Sequence, residues 1–315
     1  MEAAPLFDDV AQAPKGGQAW WVKAADGERV RVAAWGAGDR AGTQGTVLMF
    51  PGRTEYIEKY GPAAAQLRAR GFSSLVLDWR GQGLTARAKP DRRLGHIDDF
   101  LEYQNDVAVL VDVARQADMP KPWFLLAHSM GGCIGLRALH NHLPVKAAVF
   151  SGPLWGLQLK PLETAISWTV ALVAPVLGLG DHLTPRAQPD HKLIAGTFAG
   201  NDLTTDPDMW DFMKAQIARY PDLALGGPTI VWFRAMMIET ARLMRLPAPT
   251  TIPALSFLAT QESIVNIDRM RRVMALWPNG QLETVEGAKH ELMMERPEIR
   301  TRFFDRAAAF FHEHG

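Results

Sequence analysis

Ala127-His128-Ser129-Met130-Gly131-Gly132 is the stretch that decides the fold of this chain. The apolar run Trp123-Phe-Leu-Leu126 leads into it and a helical pattern from Cys133 to His140 follows, which predicts a strand, a sharp turn and a helix. Small residues lie two positions on either side of Ser129. A turn that forces a serine outward needs them, because bulkier side chains would collide with the flanking strand and helix. An ordinary serine N-cap would give a similar local pattern, so the turn alone leaves both interpretations open.

The composition is that of an ordinary globular protein. The chain has 315 residues, of which 47% are hydrophobic and 22% charged, enough apolar mass for a sizeable core. Acidic and basic residues balance at 34 each, so we expect no nucleic-acid partner. The single cysteine, Cys133, cannot form an internal disulfide, and we expect it to be a buried apolar filler. No export signal or membrane-spanning run is apparent, which predicts a soluble cytoplasmic protein.

Strands and helices alternate along most of the chain. Strands are predicted at 19–23, 29–35, 46–50, 73–77, 123–127, 145–150, 254–259 and 281–285, and helices at 56–70, 97–116, 133–140, 267–277 and 293–312. This alternation predicts an α/β fold with a mainly parallel sheet covered on both faces. In the helix at 97–116 we expect Leu101, Val107 and Leu110 on the apolar face. Residues 1–17 are expected to form a loose, polar N-terminal segment.

Residues 152–250 break the alternation, because no clear strand occurs in them. They contain apolar helical runs at 166–179, interrupted by Pro175, and at 231–246. One interpretation is an additional helical packing layer, and the other is a helical cap that supplies apolar walls to a pocket. Met236, Met237 and Met244 would suit a wall for flexible acyl chains, although they also suit a core. We therefore divide the chain into a core at 1–151, a cap at 152–250 and a second core part at 251–315.

A serine hydroxyl needs a base to act as a nucleophile at neutral pH, and the base needs an orienting carboxylate. His290 is the favoured base, because it follows the predicted strand 281–285 at the edge where open α/β sheets build their sites. A structural histidine that caps the last helix is the alternative. The other histidines lie beside the serine turn (His128, His140, His142), in the terminal helix (His312, His314) or in polar loops (His96, His182, His191).

The carboxylate is expected on a loop just past a strand, between the serine and the histidine in the chain. Glu262 is the first acidic residue after the strand 254–259, whereas Asp268 comes later and is expected on the next helix. We favour Glu262 over Asp268. A surface glutamate in a salt bridge remains the alternative for Glu262.

Five segments together resemble the α/β-hydrolases of the monoacylglycerol lipase and lysophospholipase branch, also called serine aminopeptidase S33-like or hydrolase-4. They are Phe50-Pro-Gly-Arg-Thr-Glu55 with Lys59-Tyr60, Asp78-x-Arg80-Gly81-x-Gly83, His128-Ser-Met-Gly-Gly132, Leu258-Ala-Thr-Gln-Glu-Ser-Ile-Val265 and Gly287-Ala-Lys-His-Glu291. The resemblance implies Ser129 as nucleophile, His290 as base and Glu262 at the acid position. It also implies the backbone N–H groups of Arg53 and Met130 as an oxyanion hole, and residues 152–250 as a lid.

The chain departs from that family pattern at three positions. Pro51 stands where the family often has histidine, Ala127 replaces the usual glycine before the serine, and Glu262 stands where aspartate is commoner. The implied oxyanion hole uses the backbone N–H of Arg53, so Pro51 need not disturb it. A glutamate can still accept the imidazole N–H, but its longer side chain requires a different loop geometry.

These observations predict a serine hydrolase that cleaves carboxylic esters of single-chain lipids, either lysophospholipids or monoacylglycerols, through an acyl-enzyme and without metal or organic cofactor. A short-chain carboxylesterase or a thioesterase is the alternative, and a non-catalytic binding protein of the same fold is a third. The expected partner is a small acyl ester. The neutral net charge gives no reason to expect attraction to anionic lipids. A transient contact with the inner face of the membrane would therefore involve the apolar surface of the cap.

Overall fold

A computed structural model describes residues 1–38, 42–249 and 251–315. Its strands are β1 (Glu2–Ala3), β2 (Gln18–Lys23), β3 (Arg29–Trp35), β4 (Thr46–Phe50), β5 (Ser73–Asp78), β6 (Trp123–His128), β7 (Ala148–Ser151), β8 (Ala254–Ala259) and β9 (Gly280–Val285). Within the described residues they form one nine-stranded sheet in the order β1-β2-β3-β5-β4-β6-β7-β8-β9. Strands β4 to β9 run parallel, while β1, β2 and β3 pair antiparallel. The predicted mainly parallel sheet is confirmed.

The helices are α1 (Asp8–Ala11), α2 (Gly61–Ala69), α3 (Tyr103–Gln116), α4 (Met130–His140), α5 (Pro161–Val176), α6 (Lys192–Ala195), α7 (Pro207–Arg219), α8 (Ile230–Leu243), α9 (Ile267–Ala275) and α10 (Pro297–Glu313). Short 3₁₀ turns occur at Ile57–Tyr60, Phe100–Glu102, Pro221–Leu223 and Leu292–Met294. Three of the predicted helices therefore begin with a 3₁₀ turn, and their α-helical parts are shorter than predicted.

The sheet is buried on both faces, and side chains alternate between two cores. Leu48 and Phe50 of β4 point into the same core as α3, α4 and α9, whereas Val47 and Met49 point into the core with α2 and α10. This period of two follows from the pleat of a strand. A strand buried on both faces must be apolar throughout, which is why β4 and β6 read as continuous apolar runs. Cys133 of α4 is fully buried, as expected.

Two expectations about the first third of the chain are wrong. The N-terminal segment 1–17 is ordered, because β1 pairs with β2 and Phe7 stacks on Tyr220 at the end of α7, with ring centroids 3.7 Å apart. Leu101 is 40% exposed, since it lies in the 3₁₀ turn before α3 and so outside the helical periodicity that buries Val107 and Leu110. Strand β7 also begins three residues later than predicted.

Helices α5 to α8 lie between β7 and β8, and they differ in how they are buried. Gln216 of α7 hydrogen-bonds Tyr56 (3.0 Å) and the carbonyl of Val10 (2.8 Å), and Met236 and Met237 of α8 belong to the buried core. On α5, by contrast, most large apolar side chains are exposed, and Pro175 lies in its last turn. The division into core and cap stays a prediction, and its last cap residue, Thr250, lies outside the described residues.

A search of the described helices for one that could cross a bilayer, by length and hydropathy together, found none.

Candidate active site

Ser129 lies at the apex of the turn between β6 and α4, as the sequence predicts. Its backbone has φ 50° and ψ −116°, a conformation that non-glycine residues rarely adopt. Hydrogen bonds on both sides hold it there. The Ser129 N–H donates to the carbonyl of Ser151 (3.1 Å), and the N–H of Leu154 donates to the carbonyl of Ser129 (2.8 Å). The strained serine is therefore fixed by its neighbours in the sheet.

The glycines after Ser129 are required by close contacts. A Cβ at Gly131 would lie 2.1 Å from the carbonyl oxygen of Phe50, and one at Gly132 would lie 2.5 Å from Cβ of Pro153. Such distances are far below van der Waals contact, so α4 could not approach β4 this closely with larger residues. Ala127, on the other side, is fully buried in the core.

The structure brings together the three side chains that the sequence singles out. Oγ of Ser129 lies 2.9 Å from Nε2 of His290, and Nδ1 of His290 lies 2.7 Å from Oε2 of Glu262. His290 and Glu262 are buried. The three residues come from the loops after β6, β8 and β9, which end at the same edge of the sheet. A serine, an imidazole and a carboxylate in this order can pass a proton from the hydroxyl to the imidazole.

Glu262 rather than Asp268 contacts the histidine. Oε1 of Glu262 accepts the N–H groups of Ile264 (2.7 Å) and Val265 (3.1 Å), which leaves Oε2 for His290. Burial raises the pKa of Glu262, but the hydrogen bond from His290 and those from the backbone outweigh it and the pKa is lowered. The side chain of Asp268 is 91% exposed on α9, 3.8 Å from Arg271.

The backbone N–H groups of Arg53 and Met130 have no acceptor within the described residues. Met130 is the first residue of α4, where N–H groups are unpaired and the helix dipole favours negative charge. The loop that carries Arg53 is fixed by the segment after β5. Trp79 donates to the carbonyl of Pro51 (2.8 Å), and Gln82 bonds both the carbonyl of Gly52 and the N–H of Thr54 (3.0 Å each). The glycine-rich segment at 78–83 therefore positions the candidate oxyanion loop.

A buried charged network lies behind this loop, and sequence reasoning assigned it no role. The ammonium group of Lys59 lies 2.7 Å from Glu55 and 2.7 Å from Glu291, and the hydroxyl of Tyr60 donates to Glu55 (2.6 Å). Glu55 also accepts the N–H of Gly52 and thereby holds the candidate oxyanion loop. Burial raises the pKa of Glu55, but Lys59 outweighs it and the pKa is lowered. The sequence did contain a signal for this network, because all of its residues belong to the family-like segments quoted in the sequence analysis.

The same network contains the one group of described residues arranged to share a cation, Glu55, His128 and Glu291. Lys59 already bonds both carboxylates, so its ammonium group supplies the positive charge that a metal ion would bring. Nδ1 of His128 donates to the carbonyl of Ser151 (2.9 Å), and the His128 ring lies 4.9 Å from that of His290. The arrangement suits a structural support for the loops beside Ser129.

His191 is a second cleft residue that the sequence placed only in a polar loop. Its Nε2 lies 3.2 Å from the carbonyl of Thr54, and its Nδ1 accepts the N–H of Leu193 at the start of α6. Since Nδ1 accepts, Nε2 carries the proton and donates to Thr54. Burial lowers the pKa of His191 to about 4, so the imidazole is neutral at neutral pH. His191 thus joins the inserted helices to the candidate oxyanion loop.

A cleft of about 210 Å³ opens onto Ser129 and His290. Polar and charged groups of the core line one side, including Arg53 and Lys59. Residues from the insertion, among them His191, Lys192 and Leu203, line the other. This volume is below the roughly 300–1,000 Å³ typical of sites for drug-sized ligands.

Comparison with known proteins places this geometry in context. Residues 41–297 match the family model described as serine aminopeptidase, S33. The chain is 29% identical to a Haemophilus influenzae protein named probable lysophospholipase L2, over 81% of this chain and 79% of that protein. It is 28% identical to lysophospholipase L2 of Escherichia coli K12, over 85% and 80%. A soluble variant of monoglyceride lipase from Saccharomyces cerevisiae, solved with a substrate analog, shares the fold with a TM-score of 0.72 and 18% identity, over 94% of each chain.

Proposed function

The chain belongs to the serine aminopeptidase S33 family within the α/β-hydrolases and is a carboxylic ester hydrolase, and from this premise we propose that it cleaves single-chain lipid esters. The proposed catalytic residues are Ser129, His290 and Glu262. The observation that carries the proposal is the continuous hydrogen-bonded path from the Ser129 hydroxyl through His290 to Glu262, with distances of 2.9 and 2.7 Å. The N–H groups of Arg53 and Met130, which have no acceptor within the described residues, support the same mechanism.

The proposed reaction is acyl transfer to water in two steps. Oγ of Ser129 attacks the ester carbonyl carbon while Nε2 of His290 takes its proton, and Glu262 stabilises the imidazolium through Nδ1. The N–H groups of Arg53 and Met130 bind the oxyanion. His290 then gives the proton to the departing alcohol. Water attacks the acyl-enzyme with His290 as base, and the fatty acid leaves as Ser129 recovers its proton.

Two observations support a lipid substrate. The two bacterial relatives are named as lysophospholipases, and the related yeast structure is a monoglyceride lipase. In addition, α5, which packs against α8, exposes apolar side chains along its length and at the residue that follows it: Leu162, Ile166, Leu172, Val173, Val176 and Leu177. We propose that residues 152–250 act as a cap and that α5 contacts the surface of the membrane or micelle that holds the substrate.

The catalytic assignment is tested by Ser129→Ala, with Ser151→Ala as the matched control. Ser151 ends the neighbouring strand β7, and its buried hydroxyl has no hydrogen-bond partner among the described residues. We expect Ser129→Ala to lower kcat for ester hydrolysis by about 10⁶-fold, because a triad acts as a unit. Ser151→Ala should keep near-normal turnover. Comparable turnover in the two variants would contradict the assignment of Ser129.

The substrate class is tested with esters that vary in acyl length and headgroup. We expect the highest kcat/KM for long single-chain lipid esters. A sharp optimum at short acyl chains, or a preference for thioesters, would remove the lipid proposal and leave the mechanism intact. Labelling of wild type by a fluorophosphonate probe, lost in Ser129→Ala, distinguishes an enzyme from a non-catalytic binding protein, because only an activated serine reacts.

A further inference from the structure

The side chain of Arg53 is a cation that has no carboxylate partner among the described residues. Arg53 lines the cleft with Ser129 and is partly exposed, whereas its Nε atom is buried without a hydrogen-bond acceptor among the described residues. Nη2 donates to the carbonyl of Gly226 (2.7 Å), and the guanidinium carbon lies 5.0 Å from the ring centre of Trp232. These contacts fix the direction of the guanidinium group but do not neutralise its charge.

Arg31 and Arg80 are buried arginines that are paired with carboxylates. Arg87 and Arg269 are half-buried like Arg53 and bond carbonyl oxygens, but neither lines the cleft. Arg31 lies 2.7 Å from Glu58 and 2.7 Å from Asp78, and these carboxylates outweigh burial and raise its pKa. Arg80 is paired in the same way with Asp106 (2.8 Å) and Asp26 (2.7 Å). For Arg53, burial lowers the pKa to about 10, with only Tyr103 opposing it. Arg53 therefore stays charged at neutral pH while lacking the partners that stabilise Arg31 and Arg80.

We propose that the Arg53 guanidinium binds the phosphate of the substrate headgroup, so that the enzyme selects phosphate-bearing single-chain lipids over neutral monoacylglycerols. The proposal rests on the function proposed above and deepens it. A guanidinium forms charge-assisted hydrogen bonds with phosphate oxygens, and a buried one gains more from them than a solvated one. A neutral glycerol headgroup offers no charge to the same group.

The lengths of the Arg53 side chain and of the lysophospholipid headgroup support this assignment. About seven bonds separate the Arg53 backbone nitrogen from its terminal guanidinium nitrogens. In a 1-acyl lysophospholipid, about seven bonds also separate the ester carbonyl oxygen from the phosphorus atom. With the carbonyl oxygen bound at the Arg53 N–H, the phosphate can therefore extend as far as the guanidinium. One residue would then bind the oxyanion through its backbone and the headgroup through its side chain.

The test compares two substrates with the same acyl chain, octanoyl lysophosphatidylglycerol and octanoylglycerol, below their micelle concentrations. The measured quantity is the ratio of kcat/KM for the phosphate-bearing ester to kcat/KM for the neutral ester. We expect Arg53→Met to lower this ratio by about 10- to 100-fold, the range for hydrogen bonds to charged groups. The substitution keeps the backbone N–H. Arg53→Lys, which keeps the charge without the planar fork, should recover part of the ratio.

Lys192→Met provides the matched control. Lys192 is also a cation lining the cleft, but it is half exposed and already paired with Asp202 at 2.7 Å. Its removal should change the ratio by less than about twofold, because exposed ion pairs contribute little. An equal fall in the ratio for Lys192→Met would overturn the proposal in favour of a general effect of positive charge. An unchanged ratio in Arg53→Met, or an equal loss on both substrates with a lower Tm, would also overturn it.

Inhibition by headgroup fragments supplies a second readout that is independent of turnover differences. Glycerol 3-phosphate should inhibit hydrolysis of octanoylglycerol by wild type, and its inhibition constant should rise about 10-fold or more in Arg53→Met. Equal inhibition of both proteins would contradict the proposal. If wild type cleaves octanoylglycerol through Ser129 but fails to cleave the lysophospholipid, the inference about Arg53 is wrong and the proposed function stands.

Discussion

The carboxyl edge of the sheet and helix α5 of the insertion use their side chains in opposite ways. At the sheet edge, charged groups are buried and nearly all are paired, as in the set formed by Glu55, Lys59 and Glu291. On α5, apolar groups are exposed, with Leu162 72% and Val176 85% accessible to solvent. Both arrangements are unfavourable for an isolated folded chain, because buried charges and exposed apolar groups each carry a penalty.

The difference indicates what each region is built to do. Paired buried charges have a single low-energy arrangement, so they hold the loops around Ser129 in fixed positions. Exposed apolar groups gain free energy only when another surface covers them. The sheet edge thus supplies geometry, and α5 supplies a contact surface. Substitutions in the candidate triad and in the paired charges that hold its loops should therefore affect chemistry on every ester, whereas substitutions on α5 should matter only for aggregated substrates.

Among the variants that test this contrast, the largest effect is expected for Glu262→Gln, which removes the negative charge beside His290. Loss of the orienting carboxylate in such triads lowers kcat by about 10⁴-fold, and we expect a similar loss for every ester, short or long. Asp268→Asn is the matched control, because Asp268 lies exposed on the following helix. Steady-state kinetics with a water-soluble ester measures the activity of both variants. Full activity in Glu262→Gln together with loss in Asp268→Asn would transfer the role to Asp268.

A second prediction concerns the stability of the serine turn. In Gly131→Ala, the new Cβ would lie 2.1 Å from a backbone oxygen of Phe50, so α4 or β4 must move. We expect a loss of at least about 2 kcal/mol in the free energy of unfolding, near the upper range for overpacking. In Gly135→Ala, in the same helix, the new Cβ meets side-chain atoms and no backbone, with Leu125 at 3.1 Å and Ala127 at 3.3 Å, and the gain in helix propensity is similar. Equal denaturation midpoints for the two variants would show that the turn tolerates bulk.

The strands and the candidate site could be predicted because their signals are local. Continuous apolar runs mark β4, β6 and β8, and each is followed by a loop whose polar residues must meet at one edge of a parallel sheet. The order Ser129, Glu262, His290 along the chain then follows from the order of the strands. The early strands of the sheet and the mainly parallel pairing were predicted for the same reason.

What could not be predicted depends on contacts between distant segments. Phe7 is ordered because it stacks on Tyr220, more than two hundred residues away, and no local pattern shows that pairing. His191 bonds the carbonyl of Thr54 only because the insertion folds back over the core. That no carboxylate of the described residues pairs with Arg53 is likewise a property of the fold, since acidic residues are abundant in the sequence. Sequence periodicity indicates which residues are buried, but it does not indicate which distant residues they contact.

His191 joins the insertion to the sheet edge, and its protonation should weaken that link. Its pKa is about 4 in the folded protein and near 6.5 when unfolded, so the unfolded state binds more protons between these values. Stability is therefore full above pH 6.5 and falls as pH falls toward 4, by up to about 3 kcal/mol. His191→Gln lacks this titration, so its unfolding free energy should fall less over the same range. Urea denaturation at several pH values tests this, and parallel curves for the two proteins would contradict it.

The smallest effect is expected on α5, and it should depend on how the substrate is presented. Val176→Ser/Leu177→Ser removes two exposed apolar side chains, and we expect the ratio of hydrolysis in phospholipid vesicles to hydrolysis of a dissolved short-chain ester to fall about 10-fold. Leu276→Ser on the core is the matched control, because Leu276 is 66% exposed, close to the 68% of Leu177. Vesicle flotation measures binding directly. If Leu276→Ser lowers the ratio as much, general hydrophobicity rather than α5 governs the contact, and the contrast between the two regions fails at this point.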